Sequence, residues 1–415
     1  MALDKRNMYR FPWSMNDNPL GWTEVTDVCN LKCKGCYRQT LEGHKPIDQI
    51  KEEILFLKRW RNCDNISIAG GEPILHPQIV DIVDFISRQN MKPLILSNGM
   101  TVTRDLLIDL REAGLIGICM HIDMYQDRPG WEGKNEIDLN KLREKLADIV
   151  YEVGGISCLF NITVYKGNYQ YIPDLVNWTL KNTKKVQGFI FICYRAAILD
   201  PNKEYSIDGH KVELDEASLG YATSEETLED INIKSSDVYR IIKEHLPQYE
   251  PSAYLGGTKS QKSIKWLISI LLCGNNQVFG PLGKKAMELI QVFHHLWYGT
   301  YLAYMRKKTT GKKIFLLSLI DPMVFKALKQ FLHNPVNFFR PLRTVGISCI
   351  QAPDVLAHGE VDMCDSCPDM AFFDGNLVNS CRLDEYRKFG TALTPEFKES
   401  TPKKESNFQY SNEKK

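Results

Sequence analysis

Cys29, Cys33 and Cys36 stand in the pattern Cys-x3-Cys-x2-Cys, within the segment Cys29-Asn-Leu-Lys-Cys33-Lys-Gly-Cys36-Tyr37. Thiolates at this spacing are metal ligands. A cubane of four irons takes four ligands, so three cysteines leave one iron open to bind something else. The competing reading is a zinc knot in which His44 completes three cysteines. The place of the loop, after a strand that opens a βα series, favours the cluster. Further along, Gly70-Gly71-Glu72-Pro73 follows a second apolar run. Its glycines let backbone approach a ligand closely and its proline begins a rigid turn, although a plain strand-to-helix turn has the same composition. Ser97 and Asn98, then His121 and Asp123, lie at the ends of two more runs, where a polar side chain either faces a site or caps the next helix. Asn161, Thr163 and Arg195 could face the same space, or serve buried structural hydrogen bonding.

A second group, Cys349, Cys364, Cys367 and Cys381, follows Cys-x14-Cys-x2-Cys-x13-Cys, with Pro368 after the third. Four thiolates can close an iron–sulfur cluster completely or hold a structural zinc, and spacing alone does not separate the two metals. A closed cluster would suit electron transfer or structural support. Cys63, Cys119, Cys158, Cys193 and Cys273 fit no ligand spacing and are expected as small buried residues.

These residues must be positioned by the elements between them. From about Trp22 to Arg195, short β-branched runs alternate with helical patterns, which predicts repeated βα units and a parallel sheet. The candidate strands are Trp22 to Thr26, Asn65 to Ala69, Pro93 to Ser97, Ile116 to Asp123, Gly155 to Val164 and Gln187 to Tyr194. The candidate helices are Ile47 to Arg61, His76 to Gln89, Thr103 to Ala113, Leu139 to Val153 and Tyr169 to Lys181. Right-handed crossovers would wrap the six units into a partial (βα)6 barrel of the α/β class, with function at the strand C-terminal ends, where the candidate residues fall. The expected organisation is an N-terminal extension (1–19), the barrel (20–200), a polar linker or insertion (201–261) and an aromatic-rich region of amphipathic helices (262–344). A cluster module (345–390) and a disordered tail (391–415) follow.

With 415 residues, 52 basic and 51 acidic, the chain is globular and nearly neutral, so bulk charge gives no argument for nucleic acid. Its first twenty residues lack a secretory apolar run and no run reaches the roughly 20 residues of a spanning helix, which predicts a cytoplasmic protein.

The three-cysteine loop together with Gly70 to Pro73 resembles the radical S-adenosylmethionine (radical SAM) superfamily. The resemblance implies that the amino and carboxylate groups of S-adenosylmethionine chelate the open iron. It further implies reductive cleavage to a 5′-deoxyadenosyl radical, and single-electron supply by a flavodoxin or ferredoxin. It assigns Gly70, Gly71, Glu72 and Pro73 to the methionine amino group and Ser97, Asn98, His121 and Asp123 to the carboxylate and ribose. Tyr37 is placed near the adenine, with core packing as the alternative for that ring. The second cysteine group resembles the C-terminal auxiliary [4Fe–4S] modules of these enzymes, SPASM and its shortened forms, and four cysteines fit one such cluster. No cobalamin-binding domain is evident.

Three readings of the second substrate follow. Aromatic helices beside basic clusters between Trp266 and Phe339 fit a lipid or other long apolar molecule and a peripheral membrane contact. The phrase from His121 to Trp131 resembles relatives of the archaeal tetraether lipid synthases, without the extra cysteine pairs of those enzymes. A peptide maturase is the second reading, since a C-terminal cluster often accompanies peptide modification. A non-catalytic iron–sulfur protein is the third. An ordinary helical domain packed on the open edge of the barrel accounts for the aromatic helices better than a membrane surface does.

Overall fold

The computed structural model describes residues 3–397 apart from 39–42, 196, 199–202, 208, 215–221, 224–231, 261, 276, 305–310, 352 and 356–360. After a short strand β1 (Tyr9–Arg10), six strands alternate with five helices: β2 (Leu20–Thr26), α1 (Ile47–Arg61), β3 (Asn65–Gly70), α2 (Ile79–Arg88), β4 (Lys92–Ser97), α3 (Arg104–Glu112), β5 (Gly117–His121), α4 (Asn140–Val153), β6 (Ser157–Val164), α5 (Ile172–Lys181) and β7 (Gly188–Cys193). Strands β2 to β7 pair in sequence order and in parallel, the expected partial barrel.

The helices form because their apolar residues recur on one face. In α1, Ile50, Ile54 and Leu57 are fully buried against the sheet, and Asn62 stops the helix in the left-handed conformation. In α2, Ile79, Ile82, Val83 and Ile86 do the same. Each such side chain contributes roughly 1.5–3 kcal/mol by leaving water. Covered by helices outside and side chains inside, the parallel strands are apolar almost throughout.

The second half of the chain departs from expectation. After α6 (Ser235–His245) come β8 (Ala253–Gly256), β9 (Ile264–Cys273), β10 (Val278–Pro281), α7 (Lys284–Tyr298), α8 (Pro322–Leu332) and β11 (Arg343–Gln351). Residues 264–273, expected as helix, form a ten-residue strand antiparallel to β11. Both faces of that strand are covered, one by the main core and one by the barrel interior, so apolar residues fall on both and even Lys265 and Ser269 are buried. Residues 253–256, expected in a linker, pair with it. The segment expected to open a separate cluster module instead supplies β11, which runs parallel to β7 and extends the barrel. Strands β12 (Met370–Phe373) and β13 (Asn376–Asn379) then flank β2 on the other side, followed by α9 (Leu383–Phe389). The expected tail begins with a strand, Thr394–Phe397, and residues 398–415 lie outside the described ones. Among the described residues no helix is long and apolar enough to cross a membrane.

Candidate active site

Strand β2 ends at Thr26 and the cysteine loop begins there. Gly70 and Gly71 fit the loop against it: a Cβ on Gly70, at φ +128°, would lie 2.3 Å from the Thr26 carbonyl oxygen, and one on Gly71 would lie 2.3 Å from that of Val28. Their neighbours bond directly, Gly71 N–H to Thr26 O at 2.7 Å and Glu72 N–H to Val28 O at 2.8 Å. Only glycine permits this approach. The Glu72 carboxylate is buried and accepts from the backbone N–H groups of Asn98 (2.6 Å) and Ile74 (3.1 Å), so it braces two strand ends. Burial raises its pKa, opposed by those bonds and by Arg128. Pro73 opens a buried 3-10 turn.

Three amide side chains organise the thiols. Asn98 Nδ2 donates to Asn30 Oδ1 at 2.7 Å and lies 3.8 Å from Cys29 Sγ, while its Oδ1 accepts from Met100 N–H. Gln126 Nε2 donates to Cys33 Sγ at 3.5 Å and to the His121 carbonyl at 3.2 Å. Arg128 bonds the Asn98 and His121 carbonyls and Gln126 Oε1. Burial, then the neighbouring Cys36 and Asp123, push the Cys33 thiol far above its ordinary range, and burial also raises Cys36, with Cys29 adding to both. The three sulfurs are therefore close enough to oppose one another's ionisation. A cationic iron centre turns that repulsion into ligation.

Among the described residues no three His, Cys, Asp or Glu side chains converge on a single ion. A lone zinc needs its ligands about 2–2.3 Å from one point, whereas a four-iron cube takes each thiolate on a different iron and holds the sulfurs apart. His44 Nδ1 lies 2.8 Å from Thr26 Oγ1. Three thiolates on one loop match three corners of such a cube and leave the fourth open.

Farther round the sheet, His121 Nε2 lies 2.8 Å from Asp123 Oδ2 and 3.4 Å from Thr163 Oγ1. Burial works to raise the Asp123 pKa, but His121 and the Tyr125 and Thr163 N–H groups outweigh it and hold the carboxyl below its usual value. Asn161 Oδ1, opposite His121 on β6, is buried without a partner, as a ligand-facing acceptor would be. Ser97 accepts from Gly99 N–H and shapes the turn. Arg195 is drawn into an ion pair with Asp354 at 2.6 Å. The Tyr37 ring lies 6.3 Å from that of Trp22, in a small core shared with Phe373 and Tyr386, so it faces the C-terminal strands.

Residues 23–179 match the radical SAM superfamily. The chain carries a radical SAM domain. Domains of this superfamily bind a [4Fe–4S] cluster and S-adenosylmethionine. The chain is 30% identical over 168 residues to a GTP 3′,8-cyclase of Vibrio parahaemolyticus, covering 37% of this chain and 48% of that one. It is 26% identical over 168 residues to a tungsten-containing aldehyde ferredoxin oxidoreductase cofactor-modifying protein of Pyrococcus furiosus, covering 38% and 47%. The chain thus spans about half the length of the curated relatives it matches. Among solved structures it is similar to SuiB of Streptococcus suis bound to the precursor peptide SuiA, with TM-score 0.38, 20% identity, and coverage of 56% of this chain and 46% of that one.

Outside the radical SAM domain, the second cysteine group is smaller than expected. Cys364 and Cys367 hydrogen-bond to each other, and Cys367 and Cys381 interact electrostatically. Cys349 does not join them. It sits fully buried within β11, its Sγ 3.6 Å from Cys193 Sγ on the neighbouring β7. In a strand successive side chains take opposite faces, and this one takes the face packed on α6 and Tyr249. Arg61, fully buried, bonds the Cys367 and Pro368 carbonyls and the Leu20 carbonyl, tying the group to the start of β2.

Asn30, Gln126 and Arg128 were not among the expected site residues. Gln126 and Arg128 follow the end of β5, the position that had singled out His121 and Asp123, and that position was the available signal.

Proposed function

We propose that this chain is an enzyme that cleaves S-adenosylmethionine reductively and takes hydrogen from a lipid or other long apolar molecule, with a flavodoxin or ferredoxin as electron donor. The observation that carries the first part is the set of amides aimed at Cys29 and Cys33 beside the glycine edge at Gly70 and Gly71. A [4Fe–4S] cluster held by Cys29, Cys33 and Cys36 would supply the single electron that splits the C5′–S bond into methionine and a 5′-deoxyadenosyl radical, which becomes 5′-deoxyadenosine on taking hydrogen. The chain's own part is geometric and electrostatic. Gly70 and Gly71 open backbone to the methionine end, and the ionised Asp123 accepts from His121. Asn161 Oδ1 offers an acceptor into the interior. Cys364, Cys367 and Cys381 are proposed as ligands of a second cluster.

An apolar substrate is supported by the exposed apolar side chains Leu296, Trp297, Leu319 and Phe339, whereas the apolar cavity of about 430 Å³ lined by Trp13, Leu94, Leu159, Trp266, Ile268 and Leu342 lies at the other end of the strands from the cysteine loop and carries no argument for it.

The test is anaerobic reconstitution of wild type and Cys33→Ala. Iron per chain and 5′-deoxyadenosine under dithionite are measured, and the assay is repeated with deuterated lipid extract and with deuterated peptide mixture. About eight irons, nucleoside that vanishes in the variant, and deuterium acquired from lipid support the whole reading. Deuterium from peptide alone transfers the substrate to that class. No iron and no nucleoside from wild type sinks the reading altogether.

A further inference from the structure

The helical layer on β8 to β10 has two unlike faces. Inward, Met287 and Ile290 of α7 line the apolar cavity, and Phe315, Val324 and Phe331 build one shared core. Outward, the same elements leave large apolar side chains in water: Leu296 is 80% exposed, Trp297 73%, Leu319 87% and Phe339 91%. Soluble surfaces rarely concentrate such residues unless something covers them.

Charge identifies the cover. Among the described residues from 284 to 343 there are eight lysines and arginines and two acids, Glu288 and Asp321, a local balance of +6 (8 − 2) in a chain of net charge +1. Asp321 is buried, bonding the N–H groups of Ala286, Met323 and Val324, which leaves Glu288 as the exposed acid of that stretch. The cations stand beside the apolar groups: Lys312 Nζ bonds the Phe338 carbonyl, and Lys329 lies 4.5 Å from the Phe325 ring centre. Nucleic acid would satisfy the cations and leave Leu296, Leu319 and Phe339 in water. Acyl chains beneath anionic headgroups satisfy both.

We propose that the outer face of residues 284–304 and 311–343 docks on an anionic lipid surface through Leu296, Trp297, Leu319 and Phe339, with Lys312, Lys313, Lys326 and Lys329 at the headgroups. The link to an apolar substrate rests on the function proposed above; the docking does not.

The test is flotation of the full-length, cluster-reconstituted chain with vesicles of phosphatidylcholine, alone or with about one-third phosphatidylglycerol. Wild type should float with the anionic vesicles, weakly with the neutral ones, and be released from the former by about 0.5 M salt. Leu319→Asp with Phe339→Asp should lower partition at least about tenfold. Glu at Lys312, Lys313, Lys326 and Lys329 should lower it on anionic vesicles only. Both variants should still form 5′-deoxyadenosine without lipid, so docking and S-adenosylmethionine chemistry are read separately. Wild type failing to float, or the Asp variant floating unchanged, would overturn the proposal. So would self-association without vesicle binding that the Asp variant abolishes, which assigns the face to a second copy.

Discussion

At the first cysteine loop, amide side chains from neighbouring strand ends reach Cys29 and Cys33, whereas Cys364, Cys367 and Cys381 face one another and are supported from behind through backbone carbonyls. Sulfurs that accept hydrogen bonds from a barrel rim suit a centre that a small ligand enters and leaves. Sulfurs set in turns beyond the sheet's first strand, fixed by a buried guanidinium, suit a centre that stays put. The two regions meet at Tyr37, which follows Cys36 and packs with β12 and α9. Arg38 beside it pairs with both Glu24 of β2 and Asp384 of α9.

The contrast breaks most severely at Gly70→Ala. Its Cβ meets the Thr26 carbonyl and its φ is positive, so the loss should be about 3 kcal/mol or more, read by urea unfolding. Iron should fall by about half as the first site alone is displaced. Arg61→Ala is the matching test at the second site. Four carbonyls, those of Met15, Leu20, Cys367 and Pro368, lose a charged donor, which costs about 3 kcal/mol, and the iron lost should be the second site's. Loss of 5′-deoxyadenosine formation before reconstituted iron declines would show that the two regions are not independent.

Cys349→Ala sharpens the comparison by its mildness, with about 1 kcal/mol for a small cavity and no change in iron, whereas Cys367→Ala should remove about half. Equal losses in the two variants would return Cys349 to the ligand set. Gln126→Leu deletes a donor to sulfur, destabilises the more negative reduced form and should lower the first centre's potential by roughly 50 mV, measured by redox titration with EPR. The smallest effect is on acid stability. Because the folded state holds Asp123 below its ordinary pKa of about 3.9, its contribution is full above that value and is lost as pH falls through the lowered one. Asp123→Asn should flatten that final acid limb in thermal melts, and an unchanged limb would remove Asp123 from the balance.

The parallel strands and their helices were legible because each carries its own period: Ile47 to Arg61 is a helix by its buried isoleucines and leucine, and Asn65 to Gly70 a strand by its short β-branched run. The cysteine loop and glycine edge were legible from spacing. Ile264–Cys273 was not, since a strand buried on both faces has no alternation to read. Cys349 misled because sequence spacing carries no information about which side of β11 the residue faces. Gln126 was hidden because a hydrogen bond to sulfur leaves no local pattern.

The position of β2 has a consequence during synthesis. Its outer neighbour, β12, and the outer neighbour of β7, β11, both come from the last fifth of the sequence. At ribosomal speeds of about 5–20 residues per second, both borders of the newly made six-strand sheet wait on the order of ten seconds or longer for their partners. Throughout that interval they present open strand edges to other nascent chains. A fragment ending near Arg195 would keep those edges for good, and is expected to aggregate where the whole chain does not.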